Sequence, residues 1–209
     1  MRWEADGSRT VLAEHFEGQR LNSPNDLAVQ ADGTIWFTDP PWGLAKQTEG
    51  KELGGHGVFR RDPDGTLTVV LRDRAMPNGI ALSPDESTLY VADTGGHRSQ
   101  PNPELRELPA TVSAWGIGRD GQLSVSPLWS VESRCDGMCV DERGFIYTTA
   151  QQGIVILSPA GEIVATIEVP EQPANVCFGG AEGRTLFITA RTSLYAVEMD
   201  VAGHFTGAR

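Results

Sequence analysis

Several chemistries are excluded by what this 209-residue sequence has little of. It contains 17 Lys and Arg against 28 Asp and Glu, and a net charge of −11 leaves no basic stripe for nucleic acid or an anionic membrane. No Gly-x-Ser-x-Gly elbow or Walker-type loop occurs, and we expect no Gly-x-Gly-x-x-Gly phosphate loop after a strand. The sequence therefore favours a small neutral or cationic ligand, or a metal cation.

Cysteines and long apolar runs are also scarce. Cys135, Cys139 and Cys177 are an odd and sparse set, which we interpret as reduced core residues rather than a disulfide framework. The spacing Cys135-x-x-x-Cys139 is that of a zinc half-site, but no second Cys or His pair lies at zinc spacing. Because the apolar runs are short and no basic-then-apolar leader occurs, we expect no transmembrane helix or signal peptide and a cytoplasmic location.

Short strands and turns dominate what is present. The 24 Gly and 13 Pro are spread along the chain as punctuation, which favours an all-β fold of many short elements. Residues 21–39 read LNSPNDLAVQADGTIWFTD, in which two alternating apolar segments flank Asp32-Gly33. This pattern predicts two antiparallel strands joined by a tight turn, with an Asn-Asp pair at the start of the first strand.

The same pattern recurs three times, as NGIALSPDESTLYVAD (78–93), DGMCVDERGFIYTTA (136–150) and NVCFGGAEGRTLFITA (175–190). Each copy begins with a polar residue, which we call its head: Asn25, Asn78, Asp136 and Asn175. Further strand pairs are predicted at 57–60 with 67–70 and at 153–157 with 163–166. Four strands per repeat of about 40 residues are typical of a propeller blade, whose inner strands converge on a central channel. The alternative for any one head is ordinary turn chemistry, since Asn-Gly is a strong hairpin signal.

Four segments resemble the senescence marker protein/gluconolactonase (regucalcin-like) family, in its gluconolactonase branch. They are residues 21–43, PNGIALSPDESTLYVADTGG, DGMCVDERGFIYTTAQQGIVILSPAGE and residues 169–199. The resemblance implies one domain, 1–209, an all-β propeller of the six-bladed type that is N-terminally incomplete, with about four and a half blades. Residues 1–20 would then be the outer strands of an incomplete blade. It also implies a divalent cation in the channel and hydrolysis of sugar-acid lactones.

Residue roles follow from the same resemblance. Asn78 and Asp136 match metal ligands, and Asp136 also matches the catalytic acid or base. Asn25 resembles a residue that binds substrate or, in some members, the metal through its amide; Asn175 matches no known role. Amide and carboxylate oxygens suit hard cations, so Ca²⁺ is expected first, with Mg²⁺, Mn²⁺ or Zn²⁺ as alternatives. Nothing matches the family's opening Glu-Gly-Pro segment, whose Glu binds metal, since Glu17-Gly18 is followed by Gln19. We therefore expect weakened metal affinity and impaired activity.

Other expectations concern partners and surface residues. The expected partner is a sugar lactone, with self-association through open propeller edges; the alternative function is a non-catalytic propeller that binds a protein or a metal. We interpret His15, His56, His97 and His204 as solvated, with the pocket rim as the alternative for His56 and His97. Trp42 is predicted in a lid over the channel and Trp115 in the core, and residues 99–109 in a surface excursion.

Overall fold

The chain folds into an arc of antiparallel β-sheets. The computed structural model describes residues 1–72, 74–96 and 102–205. Two hairpins come first: β1 (Arg2–Trp3) pairs with β2 (Arg9–Thr10), and β3 (His15–Phe16) pairs with β4 (Gln19–Arg20). The helical segments of the described residues are two short 3-10 turns, Ala45–Gln47 and Pro103–Glu107, and no described helix is long and apolar enough to span a membrane.

Four larger sheets follow, which we call blades A to D. Blade A contains β5 (Leu27–Val29), β6 (Ile35–Asp39), β7 (Gly57–Arg61) and β8 (Leu67–Leu71). Blade B contains β9 (Pro77–Leu82), β10 (Thr88–Asp93), β11 (Thr111–Gly116) and β12 (Trp129–Glu132). Blade C contains β13 (Met138–Val140), β14 (Ile146–Ala150), β15 (Gly153–Leu157) and β16 (Ile163–Glu168). Blade D contains β17 (Pro173–Gly179), β18 (Thr185–Ala190) and β19 (Leu194–Glu198).

The predicted hairpins are present in the expected register. In blade A, Leu27 pairs with Phe37 and Val29 with Ile35, on either side of the turn at Asp32-Gly33. Gly33 has a φ of 91°, a conformation that glycine adopts without a Cβ clash. The other predicted pairs are confirmed as β7 with β8 and β15 with β16. The alternation of apolar and polar residues therefore identified the strands and their partners.

Apolar side chains between neighbouring blades form the core. One cluster joins blades A and B, a second joins blades B and C, and a third joins blades C and D. The first contains Trp36, Leu89 and Trp115, which confirms the core position predicted for Trp115. Successive blades packed face to face in this way are the architecture of a propeller. The predicted fold, an all-β propeller that is incomplete as a ring, is confirmed.

The segment before blade A packs on one face of blade A, opposite the face that blade B covers. Leu21 is buried there with Phe37 and Phe59, and the Phe16 ring meets the Phe59 ring edge-on at a centroid distance of 5.4 Å. The first hairpin is exposed, including Trp3. The assignment of residues 1–20 to an incomplete blade stays a prediction.

Two histidines differ from the solvated interpretation. His56 is only 1% exposed, because it leads into β7 and its ring Nδ1 lies 2.7 Å from the Ala75 carbonyl oxygen. His204 is half-buried beside Val140, because its backbone N–H donates to the Val140 carbonyl and draws the end of the chain against blade C. His15 is exposed as predicted, and His97 lies outside the described residues.

The prediction of three core cysteines is correct for Cys135 and wrong for Cys177. Cys135 is buried, and its thiol donates to the Gly137 carbonyl at 3.3 Å, while Cys139 is half-buried. Cys177 is exposed because β17 alternates: Val176 and Phe178 pack towards blade C, and Cys177 faces the opposite way. All three thiols are free.

Two loops bear on the remaining sequence predictions, the absence of a phosphate loop and the surface excursion. Residues 116–121 do have Gly-x-Gly-x-x-Gly spacing after β11, contrary to our expectation, but they lead through a turn into an Ile117–Leu123 bridge. No helix follows them, so they offer no helix N-terminus to a phosphate. Within the predicted surface excursion, residues 103–109 are mostly exposed, and residues 99–101 lie outside the described ranges.

Candidate functional site at the starts of the inner strands

The four heads lie at corresponding places in the four blades. Asn25 precedes β5, Asn78 is the second residue of β9, Asp136 precedes β13, and Asn175 lies in β17. Since these are the inner strands of neighbouring blades, the heads are presented at one end of the channel. Asn78 is buried, whereas Asn25, Asp136 and Asn175 are exposed.

Direct contacts join the heads into a row. The Asn25 side-chain Nδ2 donates to Asn78 Oδ1 at 2.7 Å, and the Asn78 side chain lies close enough to the Asp136 carboxyl group to lower its pKa. Asn175 lies next in the row, because a Cβ built on Gly137 would lie 2.3 Å from Asn175 Oδ1. The structure therefore brings together Asn25, Asn78 and Asp136, the three residues predicted from the sequence, with Asn175 beside them.

Close backbone packing sets the distance between the second and third heads. A Cβ on Gly79 would lie 2.4 Å from the Asp136 carbonyl oxygen, so only glycine allows β9 to approach Asp136 this closely. The Gly137 N–H donates to the Ala174 carbonyl at 3.0 Å, which ties the third head to the fourth. The glycine that follows Asn78 and the one that follows Asp136 are therefore needed for packing between blades.

Buried aspartates hold the segments that carry the first two heads. Asp39 ends β6 and accepts the N–H groups of Asn22 and Ser23, each at 2.8 Å. Asp93 ends β10 and accepts the N–H groups of Ala75, Met76 and Gly95, at 2.9, 2.8 and 3.0 Å. Neither aspartate was predicted to have a role, although both lie at the same place in the repeat, after TIWFT and TLYVA.

The third head is held differently. Blade C has Ala150 where blades A and B have aspartate, and Thr149 does the holding instead. The Asp136 N–H donates to Thr149 Oγ1 at 2.9 Å, and that hydroxyl donates to the Gly137 carbonyl at 3.1 Å. In blade A the corresponding Thr38 hydroxyl crosses to the next blade and donates to the Asn78 carbonyl at 2.8 Å.

Asp26 is a further site residue that the sequence reasoning left without a role. Its Oδ1 accepts the Leu27 N–H at 2.9 Å and its Oδ2 accepts the Ile80 N–H at 3.2 Å, so it joins β5 to β9. Burial raises the pKa of Asp26, and the charge of Asp136 raises it further. Its place next to Asn25 was the available signal.

Asp136 has the environment of a proton acceptor. Although Asp136 is exposed as a residue, partial burial of its carboxyl group raises the pKa, and the Asn78 side chain opposes the rise. A carboxylate whose pKa is moved towards neutrality is better suited to general acid–base catalysis. A pocket of about 160 Å³ opens beside it, lined in part by Asn78, Arg134, Asp136, Thr149 and Gln172.

The oxygen donors of the row fit a hard cation in kind. Asn78 and Asp136 supply an amide oxygen and a carboxylate, the ligand types that Ca²⁺ and Mg²⁺ prefer. Within residues 1–72, 74–96 and 102–205 no cluster of three or more His, Cys, Asp or Glu side chains is placed to hold a metal. A cation here would therefore depend on amide oxygens alongside the charge of Asp136.

Comparison with known proteins agrees with this architecture. The chain matches the family model "SMP-30/Gluconolactonase/LRE-like region" over residues 1–192. It is 37% identical over 207 residues to the gluconolactonase of Zymomonas mobilis. This alignment covers 93% of this chain and 55% of that protein. A solved gluconolactonase from Xanthomonas campestris superposes with a TM-score of 0.76 at 36% identity, over 93% of this chain and 63% of that one.

A more distant structure shares the fold alone. The regucalcin of Agrobacterium tumefaciens, described as a calcium-binding protein, superposes with a TM-score of 0.65 at 19% identity, over 88% of this chain and 63% of that one.

The packed blades and the row of heads at one end of the channel define a β-propeller with a polar site where its inner strands begin. The family match covers most of the chain, so the chain belongs to the SMP-30/gluconolactonase family. It spans about half the length of the curated relative, 55% of the Zymomonas gluconolactonase.

Proposed function

We propose that this chain carries the site of a metal-dependent hydrolase that opens lactones of sugar acids. The observation that supports this most strongly is the row formed by Asn25, Asn78 and Asp136, in which a carboxylate with a raised pKa lies beside two amides. The two gluconolactonases that match over 93% of the chain support the substrate class.

Asn78 and Asp136 would hold a divalent cation, Ca²⁺ in first place, with the Asn78 amide oxygen giving up its hydrogen bond from Asn25. The cation would supply a Lewis acid for the lactone carbonyl. Asp136 would accept the proton of the attacking water, since a bound cation would keep its carboxylate ionised and part of its surface is exposed to solvent. Asn25 has an exposed side chain that can hydrogen-bond a sugar hydroxyl.

We further propose that hydrolysis by this chain alone is weak. Only Asp136 supplies a formal charge to the predicted ligand set, and no residue matches the family's metal-binding Glu. A site open to water also weakens electrostatic stabilisation of the transition state, because the local dielectric constant is higher.

The test is hydrolysis of gluconolactone and related sugar lactones, above the spontaneous rate, with and without a chelator. We expect a weak rate that the chelator abolishes and that Asp136→Asn lowers at least about 100-fold, the usual range for loss of a general base. Asp64→Asn is the matched control, because Asp64 lies in the β7–β8 turn and holds only Thr66 there. A rate that is insensitive to both the chelator and Asp136→Asn would contradict the proposal.

A chain that binds the cation but hydrolyses none of these lactones would instead favour the alternative of a non-catalytic propeller that presents its loops to a partner. Self-association through open strand edges is also proposed, and sedimentation of the chain at several concentrations would detect it.

A further inference from the structure

The pocket beside Asp136 contains hydrogen-bond donors that the proposed reaction does not use. Arg134 and Gln172 line this pocket of about 160 Å³ together with Asp136. Arg134 lies two residues before Asp136, in the segment that leads into β13, and Gln172 lies immediately before β17. Because all three residues line one small pocket, a group bound by Arg134 is within the length of one small molecule of the Asp136 carboxylate.

The Arg134 guanidinium has no counter-ion in the part of the chain that the structure describes. None of the ion pairs within residues 1–72, 74–96 and 102–205 includes Arg134, although Asp136 is only two residues away. The planar fork of an arginine matches the oxygens of a carboxylate, phosphate or sulfonate group and binds them through two parallel hydrogen bonds. Arg134 therefore offers the pocket a cation to which an anionic ligand can bind.

The second donor is the side-chain amide of Gln172. Its Oε1 accepts a hydrogen bond from Arg191 Nη2 at 2.8 Å. Since the oxygen is engaged by Arg191, the group that Gln172 offers to a ligand is its Nε2 amine, which can only donate. Arg191 also adds a second positive charge next to Gln172.

The hydroxyl groups of the pocket are already engaged. Thr149 and Thr94 also line it, and their hydroxyls donate to backbone carbonyls at 3.1 and 3.2 Å. Besides the two predicted metal ligands, the polar groups that remain for a ligand are therefore Arg134 and Gln172. Both are donors, and Arg134 is a cation in a chain whose net charge of −11 repels anions as a whole. A local cation of this kind is needed if the site is to hold an anion.

We propose that Arg134, with Gln172 beside it, determines the specificity of the site by binding an anionic substituent of the lactone. The substituent is a carboxylate, phosphate or sulfonate group at the end of the sugar remote from the lactone carbonyl. The substrate class rests on the proposed function, whereas the preference of the pocket for an anion does not, because it can be measured as binding without hydrolysis.

The first measurement compares two lactones that differ in one group. Glucono-1,4-lactone carries a hydroxymethyl group where glucaro-1,4-lactone carries a carboxylate. Calorimetric titration in metal-free solution measures their binding, because metal-dependent hydrolysis does not compete there. We expect the wild type to bind glucaro-1,4-lactone at least about tenfold more tightly, the gain that one charge-assisted pair provides. Added salt should reduce this ratio, because it screens the interaction.

Substitutions at Arg134 test the origin of the preference. Arg134→Met should bind the two lactones alike, and Arg134→Lys should keep part of the preference, since lysine supplies the charge without the fork. Arg143→Met is the matched control, because Arg143 is exposed in the turn between β13 and β14, and it should bind both lactones like the wild type. If Arg134→Met does not fold, Arg134→Gln takes its place.

Three results of this titration would overturn the proposal. They are equal affinities of the two lactones for the wild type, no measurable binding of glucaro-1,4-lactone, and a preference for it that survives Arg134→Met.

The second measurement is kcat and KM for both lactones in the presence of Ca²⁺. Arg134→Met should raise KM for glucaro-1,4-lactone at least about tenfold and leave kcat nearly unchanged, because Arg134 binds a part of the substrate that does not react. If the wild type hydrolyses neither lactone, the proposed function fails, and the titration alone decides whether the pocket binds an anion. An equal loss of kcat for both lactones would overturn the assignment, because it would place Arg134 at the reacting carbonyl.

Discussion

Blades A and B hold their heads with a buried anion, and blade C holds its head without one. Asp39 and Asp93 each accept backbone N–H groups from the segment before an inner strand, and the heads they support are neutral, Asn25 and Asn78. In blade C the head is itself the anion, Asp136, and the holding group is the neutral Thr149 hydroxyl.

The difference has an electrostatic reason. An aspartate in place of Ala150 would place a second negative charge close to Asp136, and neighbouring like charges repel. Blade C avoids this by using a hydroxyl. Blades A and B therefore place a carboxylate behind the head as support, whereas blade C has the carboxylate in the head itself.

The largest effect should come from removing the support in blade B. Asp93→Ala leaves the N–H groups of Ala75, Met76 and Gly95 without their acceptor, which should cost about 4 kcal/mol of unfolding free energy. Urea unfolding measures this. Asp64→Ala, in an exposed turn, is the control and should cost less than about 1 kcal/mol. Equal losses in the two variants would show that Asp93 is not the support we describe.

The support in blade A should be visible through pH. The pKa of Asp39 is raised from 3.8 to about 6, so the folded chain binds the extra proton between these values, and stability rises as pH falls through that window. The pKa of His56 is lowered from 6.5 to about 4, so the unfolded chain binds the extra proton, and stability is lost as pH falls. After allowance for solvent screening, each contribution is about 2 kcal/mol, and the two nearly cancel.

Single variants separate these two contributions. Between pH 6.5 and 4.5, Asp39→Asn should lose more stability on acidification than the wild type, and His56→Asn should lose less or gain. His15→Asn, at an exposed histidine, should follow the wild-type slope. Parallel slopes for all variants in urea unfolding would contradict the opposed contributions.

Adding a methyl group at a glycine between neighbouring blades should lower the stability of the chain. Gly79→Ala would place a methyl group 2.4 Å from the Asp136 backbone carbonyl, and we expect a cost of about 2 kcal/mol together with a displaced Asp136. Gly137→Ala meets the exposed side chain of Asn175, which can rotate away, so its cost should be about 1 kcal/mol or less. Thermal unfolding measures which variant loses more stability. A larger loss in Gly137→Ala than in Gly79→Ala would contradict the close contact of β9 with Asp136.

The smallest effect concerns the hydroxyl support of blade C. Thr149→Val removes the acceptor of the Asp136 N–H and should cost about 1 kcal/mol. Thr189→Val is the matched control in blade D, where an exposed hydroxyl donates to the Asn175 carbonyl at 3.3 Å, and should be nearly neutral. Urea unfolding of the two variants measures both costs. Equal losses of unfolding free energy would show that Thr149 is not a specific support of Asp136.

The repeat predicted the strands, their pairing and the meeting of the heads, because alternation and turn residues are local properties of the sequence. The same reasoning missed Asp39, Asp93 and Asp26, since a carboxylate at either end of a strand looks solvated until its distant N–H partners, 16 to 54 residues away in the sequence, are known. His56 was misjudged for the same reason: Ala75, its partner, lies 19 residues further along the chain.

Thr149 illustrates the same limit. Nothing in Thr148-Thr149-Ala150, at the end of β14, distinguishes a threonine that supports Asp136 from one that faces solvent, because the distinction depends on how the neighbouring blades pack. The exposure of Cys177 likewise depends on the face of β17 that packs on blade C. Such contacts become predictable only once the order of the blades is known.

The central claim is that Asn78 and Asp136 share one divalent cation at the start of the inner strands. Calorimetric titration of Ca²⁺ or Mn²⁺ into the chain tests it most directly, with Asp136→Asn and Asn78→Ala beside the Asp64→Asn control. We predict one site in the wild type and the control, and at least a tenfold loss of affinity in both site variants. Binding of the same affinity in Asp136→Asn would contradict the claim.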